Sequence, residues 1–381
     1  MSCLFAPGHA EALWDVLVVG AGVAGAMAAY GAARSGLSVL LIDKAAFPRG
    51  KACGCCLNAA AVKLLEDAEC DIHASGATPI EQLNLACGGA TAKIPIPGGL
   101  AISREALDMA LIHHAQKAGA AFMPRTTAEA TAGFSTHREL SIRQDATVWR
   151  LRAKVVLIAD GLGGRLLRND GDLEIAAHSR IGIAGTLEDV CQEYAAGILY
   201  MACGKRGYAG LVTVENRRLH IAAALDANAA RDAGGATNAI ADIMRESEFP
   251  VPAGLETCRW YGAPALTRRR RKLFGQRLFI LGDSAGYVEP FSGEGMAWAL
   301  AGAREIIPLL EKAVGAWRDE LGPQWQKQYH SLVGSRQRTC RAMTMLLRNR
   351  AITRLAVDAL RIAPLLAGPL VRQINRPVAI A

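Results

Sequence analysis

The residues with the clearest chemical meaning lie in two glycine-rich loops near opposite ends of the chain. Gly20, Gly22 and Gly25 make a G-x-G-x-x-G run, filled in by Ala21, Val23 and Ala24, while Gly282-Asp283 leads through Ser284 and Gly286 to Gly293-Glu294-Gly295. A run of the first kind, set between a strand and a helix, brings backbone N–H groups and the positive end of the helix against a pyrophosphate. Side chains would hold the anion away. Gly20 therefore serves the tight turn, Gly22 the approach of the diphosphate, and Gly25 the close contact of helix and strand.

Elements of definite type must hold these loops. Asp15 to Val19 is predicted as a strand and Val23 to Arg34 as a small-residue helix. A second strand, Ser38 to Ile42, ends on Asp43, where a βαβ unit places the acid that accepts hydrogen bonds from a ribose. Toward the other end, the strand Arg277 to Leu281 delivers Asp283 at its carboxyl end, where ligands bind in open α/β sheets. That carboxylate suits the hydroxyls of a ribityl chain. Gly293-Glu294-Gly295 then opens a helix expected from Met296 to about Val314, whose positive end points at an isoalloxazine ring and favours the anionic reduced flavin. An NAD enzyme has no need of this second module, so the two loops together specify FAD.

Ser103 is the expected N-cap of a helix to about Ala118, with Arg104 in its first turn, either beside the diphosphate loop or on the surface. Lys154 to Ala159 reads as a buried strand ending in Asp160-Gly161, another edge of the nucleotide site or a plain turn. Short alternating runs at Ala195 to Met201, Ala209 to Val214 and Leu219 to Leu225, joined by Ala86 to Ile96, read as an antiparallel sheet that walls a substrate pocket. The expected fold is α/β: a Rossmann-type FAD-binding domain (1–80, 98–170, 266–315) with an inserted antiparallel β-sheet substrate domain (81–97, 171–265) and a helical C-terminal region (316–381).

With 381 residues, 51% of them hydrophobic, the chain has the composition of a globular protein and not of a disordered or fibrous one. No apolar stretch reaches the ~20 residues that cross a bilayer, and Met1 to Trp14 lacks the features of a signal peptide, so the expected location is the cytoplasm. Ten cysteines are then expected to be mostly reduced, and their spacing suggests no metal site. The net charge of +8 is concentrated in two places. The run Arg268 to Lys272 reads as a solvated loop at a domain edge in preference to a contact for anions, and no nucleic-acid partner is expected. From His330 onward nine arginines face one acid, Asp358, in a basic amphipathic pattern. It fits either peripheral contact with an anionic membrane or a helical cap over the substrate domain.

In this order the motifs resemble the FAD-dependent superfamily that contains p-hydroxybenzoate hydroxylase, the flavin-dependent halogenases and the geranylgeranyl reductases. Its carriers are Gly20 to Gly25, Asp43-Lys44, Phe47-Pro48-Arg49 leading into Cys53-Gly54, Arg104, Asp160-Gly161, and Gly282-Asp283 through Gly293-Glu294-Gly295. The resemblance implies that Arg104 and Asp160 touch FAD and that Asp283 holds the ribityl chain and diphosphate. Lys51 to Leu57 is most similar to the cysteine-glycine segment of geranylgeranyl-reductase-like proteins, where that cysteine lies near the flavin. The halogenases' Gly-Glu-Ser and Trp-x-Trp-x-Ile-Pro segments are absent, and of the reductases' Tyr-x-Trp-x-Phe-Pro segment only Tyr208 remains.

The resemblance leaves two reactions: reduction of a C=C bond in a hydrophobic, isoprenoid or polyketide-like molecule by reduced FAD, or hydroxylation of an aromatic substrate with O₂, using NAD(P)H as electron donor. A flavin sensor or redox partner without catalysis is a third reading. Cys53 and Tyr208 are the candidate proton donors. Cys53 alternatively serves as a small buried residue, a point of covalent flavin attachment, or a disulfide partner of Cys55 or Cys56.

Overall fold

In the computed structural model, which describes residues 12–164, 166–167, 171–188, 192–289 and 291–378, the apolar run Leu13–Val19 is the central strand of a parallel sheet. The order across the sheet is Leu278–Ile280, Thr147–Ile158, Leu13–Val19, Val39–Ile42, Ala121–Met123, every neighbour parallel. Val16 to Val18 and Val39 to Ile42 are buried throughout, the pattern of strands covered on both faces. An antiparallel hairpin, Thr126–Gly133 with Arg138–Gln144, branches from the long Thr147–Ile158 strand.

Helix Val23–Arg34 packs against helices Arg104–Lys117 and Gly295–Glu305. Its buried Gly25, Ala26, Ala28, Ala29 and Ala32 leave room for that close approach. The single helix expected from Met296 to Val314 is two helices, Gly295–Glu305 and Ile307–Gly315. Pro308 explains the break, because it has no N–H to donate to the carbonyl four residues back.

The second sheet has eight strands, ordered Tyr261–Ala263, Ile181–Leu187, Leu219–Leu225, Gly207–Thr213, Ile198–Gly204, Thr78–Cys87, Ala90–Ala101, Cys56–Leu57. All its pairings are antiparallel except that of Ile198–Gly204 with Thr78–Cys87. The Gly88-Gly89 hairpin is longer than its sequence core suggested, running from Thr78 to Ala101. Among the described residues after 316 the chain is mainly helical, as expected, in Leu321–Leu346, Arg350–Ile362 and Gly368–Asn375. Buried Trp325 in the first of these donates from Nε1 to the Ile280 carbonyl, and Tyr329 Oη donates to the Gly282 carbonyl at 3.3 Å, so this helix braces the strand and turn of the second glycine loop.

One expectation is overturned. Arg268–Arg270 is not a solvated loop but the central strand of a three-stranded sheet, between Leu173–Ile175 and Gly286–Tyr287. The alternation of a strand buries Arg268 and Arg270 and turns Arg269 outward. The two buried guanidinium groups donate to main-chain carbonyls, Arg268 to Leu162 and Ala265, Arg270 to Ser284 and Leu167. They join the end of the Thr147–Ile158 strand to the second glycine loop.

Candidate active site

Four strand ends line up along the carboxyl edge of the parallel sheet. In sheet order they present Asp283, Asp160, Gly20 and Asp43. At roughly 4.8 Å per strand, Asp43 and Asp283 stand about 14 Å apart on opposite sides of the first glycine loop. A cavity of about 430 Å³ runs along this edge. Of the residues anticipated from sequence, Gly20, Gly22, Val23, Ala24, Asp43, Lys44, Lys51, Cys53, Arg104, Asp160, Gly161, Asp283, Gly293 and Gly295 line it.

Gly25, Gly282, Glu294 and Tyr208 are not in its wall. Gly25 packs under the loop, where an added Cβ would lie 1.8 Å from the Gly20 carbonyl oxygen. Gly282, at φ +63°, makes the turn that presents Asp283. Buried Glu294 accepts from Ser292 Oγ at 2.9 Å and Arg336 Nη1 at 3.0 Å, tying the loop to the C-terminal helices. Tyr208 is buried edge-on to Phe291, with the Arg180 guanidinium over its ring. It lies in the same apolar layer as Tyr287, Leu162 and Leu266, which line the cavity, but does not itself line it.

The donors around the first loop suit a diphosphate. Gly22 caps helix Val23–Arg34 without any side-chain hydrogen bond, leaving first-turn N–H groups for an anion. Gly20 holds φ +103°, and a Cβ there would strike the Ala159 carbonyl at 2.3 Å, so loop and strand touch directly. At Gly22 the contrast is sharp. A Cβ would meet nothing nearer than Arg104 Nη2 at 3.5 Å and Arg49 Nη2 at 3.9 Å, both belonging to cations that face the loop. Arg104 makes a two-pronged pair with wholly buried Asp108, its Nη2 lying 2.7 and 2.9 Å from the two carboxylate oxygens. Arg49 Nη2 stands 3.6 Å from Asp108 and 3.7 Å from Asp43, and its buried Nε has no hydrogen-bond partner among the described residues. Lys51 lies 3.6 Å from Asp283, and burial, with Arg104 adding repulsion, pulls its ammonium below the usual lysine range. A dianionic ligand among Arg49, Lys51 and Arg104 would offset both effects.

The acids do more than await a ligand. Asp43 Oδ2 accepts from the Ala21 N–H at 2.8 Å and Oδ1 from Ala45 N–H at 2.8 Å, so it fixes the glycine loop to its neighbouring strand and keeps lone pairs for ribose hydroxyls. Asp160 accepts from Ser284 Oγ at 2.9 Å, while that oxygen accepts from Gly161 N–H at 2.8 Å. Ser284 thus staples the two sides of the cavity together. Lys44 Nζ reaches the Gly163 carbonyl at 3.4 Å.

Cys53 and Cys56 are half-buried in the cavity wall, and both are free thiols, as is Cys55. A hydrogen bond with Cys55, reinforced by burial, holds the Cys53 thiol well above its ordinary range, and burial pushes Cys56 up to about 12. Both are therefore neutral near pH 7. Tyr287 adds a phenol that burial keeps protonated.

His220 supports this segment from the second sheet. Its Nε2 lies 2.7 Å from the Cys53 carbonyl and its Nδ1 3.0 Å from Thr186 Oγ1, which assigns the neutral tautomer with Nε2–H donating and Nδ1 accepting. Burial lowers its pKa below the usual imidazole value. The unfolded chain then binds the proton more readily, so this contribution to stability is intact above about pH 6.5 and is lost as pH falls below it. Comparing urea unfolding of the parent protein and His220→Gln between pH 7.5 and 5.5, the parent's advantage is expected to shrink on acidification, by at most about 1.4 kcal/mol per unit of pKa difference. An advantage that grows would refute the assignment.

Arg49, Asp108, His220, Ser284, Tyr287, Arg268 and Arg270 were not among the anticipated residues. Arg104 and Asp108 carry a readable signal, the i, i+4 spacing of a helical ion pair. Arg49, Ser284 and Tyr287 lie within the motif segments but meet partners from elsewhere in the chain, whereas His220, Arg268 and Arg270 reach the site through strand pairing.

The chain is similar to curated relatives over most of its length. It is 29% identical over 319 residues to a menaquinone reductase of Mycolicibacterium smegmatis, covering 78% of this chain and 76% of the relative. It is 28% identical over 315 residues to a geranylgeranyl diphosphate reductase of Rhodobacter capsulatus, covering 76% and 73%. Conditioned medium factor receptor 1 of Dictyostelium discoideum is 25% identical over 319 residues, which span 77% of this chain but 62% of that one. Among solved structures, the fold is shared with the flavin-dependent brominase Bmp2 at TM-score 0.78 and 15% identity, covering 96% and 94%. It is shared with pqsL, a probable FAD-dependent monooxygenase of Pseudomonas aeruginosa, at TM-score 0.72 and 19% identity, covering 91% and 100%. Residues 14–331 match the FAD binding domain model, which includes both glycine loops and the sheet between them, and the chain belongs to that family as an FAD-dependent oxidoreductase.

Proposed function

We propose that the protein reduces a carbon–carbon double bond of a hydrophobic small molecule, isoprenoid or polyketide-like in character. The observation that carries this reading is the Cys53 thiol in the wall of the cavity that also holds the glycine cradle and the apolar side chains of Ala263, Pro264, Leu266 and Met296, with burial and the Cys55 hydrogen bond favouring its protonated form. The names of the curated relatives, reductases of menaquinone and of geranylgeranyl groups, support it.

Reduced FAD, when bound, supplies a hydride equivalent to one carbon of the double bond. Cys53 holds a proton at Sγ and delivers it to the other carbon, after which a solvent proton restores the thiol. Its raised pKa keeps that proton in place throughout the neutral range. His220 holds the Cys53 carbonyl and so fixes the segment that carries the thiol. Tyr287 is a second neutral donor in the wall, and the apolar residues exclude water and seat the chain of the substrate.

The test uses the FAD-loaded protein, reduced anaerobically with dithionite and mixed with a polyprenyl alkene. Reoxidation of the flavin with one saturated bond formed per flavin is expected, and Cys53→Ala should slow it by about a hundredfold while leaving flavin content unchanged. No saturated product in this anaerobic reaction, with O₂ consumption and a hydroxylated product when the reduced protein is instead given an aromatic substrate in air, would overturn the proposal in favour of a monooxygenase. The same experiment with NADH or NADPH in place of dithionite identifies the electron donor.

A further inference from the structure

The C-terminal helices present an unusual surface. Of the twelve large hydrophobic side chains exposed among the described residues, seven lie between Met345 and Leu366: Met345, Leu346, Ile352, Leu355, Ile362, Leu365 and Leu366. Ile362 and Leu365 are 81% and 88% exposed. A soluble surface scatters such residues singly, whereas a cluster of this kind marks an interaction site.

The helix Arg350–Ile362 shows how the cluster arises. Its inward side sets Val357 against Leu85, Ala92 and Leu266 of the substrate layer, as a covering helix should. The opposite side, normally polar, carries Ile352, Leu355, Ala359 and Ile362 at spacings of three and four. This helix is apolar on both faces, and the second has no protein partner among the described residues.

Charge accompanies the apolar face. Along the preceding helix Arg338, Arg341 and Met345 follow at three and four residues and share one side. Not all nine C-terminal arginines are available. Arg336 is committed to Glu294 and to carbonyls of the last residues, Arg348 pairs with Asp226, Arg350 with Glu246, and Arg354 with Asp358 and the Gly88 carbonyl. Arg338, Arg341 and Arg372 form no ion pair among the described residues, and the sole acid of the region, Asp358, is already paired. No helix of the described residues is long and apolar enough to cross a membrane.

We infer that this face docks on an anionic phospholipid bilayer, with Leu355, Ile362 and Leu365 entering the acyl boundary and Arg338, Arg341 and Arg372 meeting the headgroups. Exposed apolar side chains with unpaired arginines nearby and almost no acid are the complement of an acidic lipid surface. The inference stands apart from the reaction. It also puts a lipid phase one helix away from the cavity, since Val357 packs in the same layer as Leu266, which lines it.

The experiment is sedimentation of the full-length, FAD-loaded protein with vesicles of phosphatidylcholine alone or mixed with phosphatidylglycerol. Binding to the anionic vesicles is expected to exceed that to neutral ones and to weaken with salt. The variant Leu355→Glu/Ile362→Glu/Leu365→Glu should bind at least about tenfold more weakly. Arg338→Gln/Arg341→Gln/Arg372→Gln should lose about fivefold per arginine together with most of the salt dependence. Flavin content and circular dichroism, expected to match the parent, show that each variant is folded. Equal binding of the parent to neutral and anionic vesicles, or undiminished binding of both variants, would overturn the inference. So would a dimer in sedimentation velocity that the leucine variant dissolves while the parent ignores vesicles, which would make the face a contact between copies of this chain.

Discussion

Arg104→Met is expected to lose flavin and to destabilise the apoprotein by about 3–5 kcal/mol, because it leaves the Asp108 carboxylate, wholly buried, with only the more distant Arg49 for compensation. The double variant Arg104→Met/Asp108→Leu removes both charges. It is expected to recover most of the stability, since an apolar pair of similar volume replaces a buried ion pair at little net cost. It should not recover the flavin, whose diphosphate would lack one charge-assisted donor, a loss of about 10- to 100-fold in affinity. Urea unfolding of the apoprotein and fluorescence titration with FAD separate the two effects. If the double variant binds FAD as tightly as the parent, Arg104 serves Asp108 alone.

The second large effect sets two glycines of one motif against each other. In Gly25→Ala the new methyl would have to occupy a point 1.8 Å from the Gly20 carbonyl oxygen and 3.3 Å from Ala159 Cβ, and no flexible side chain is there to yield. The helix must separate from the strand, at a cost of about 3 kcal/mol or more. Gly22→Ala meets only ordinary contacts, and the extended backbone at Gly22 (φ −80°, ψ −172°) accepts alanine without strain. Its apoprotein should unfold within about 1 kcal/mol of the parent. The methyl lies in the space that a diphosphate needs, so FAD affinity should fall by about tenfold or more while the fold persists. Should Gly22→Ala bind FAD normally, the cradle described above is not where the diphosphate lies.

The sequence revealed those parts of the site that are local in the chain. The strand, glycine loop and helix from Leu13 to Arg34, and the cap at Ser103, depend on spacing and on residues a few positions apart, and they stand where expected. The run Arg268 to Lys272 was misread for a physical reason. Charge density argues for solvent, but apart from Ala265 the carbonyls that receive Arg268 and Arg270 belong to other segments, Leu162, Leu167 and Ser284, so little near in the chain announces that the guanidinium groups are satisfied inside. His220 and Ser284 escaped for the same reason. Tyr208 is an instructive case. Its strand turns it into the apolar layer that Tyr287 and Leu266 share with the cavity wall, but its depth in that layer is set by Phe291 and Arg180, which come from distant segments of the chain.

The Ser284 staple also bears on how the protein is made. The Asp43 link to the first loop closes a span of 22 residues, whereas Ser284 reaches back 123 residues to Gly161. The first closure is quick and local. The second must wait until the five strands of the second sheet between Ile181 and Ala263 have left the ribosome, and its loop entropy is larger. During that interval the Thr147–Ile158 strand lacks the neighbour that Leu278–Ile280 later provides, and its upper half is an open, apolar edge. The nascent chain thus carries a half-built cofactor cradle beside an open apolar strand edge until the second glycine loop arrives.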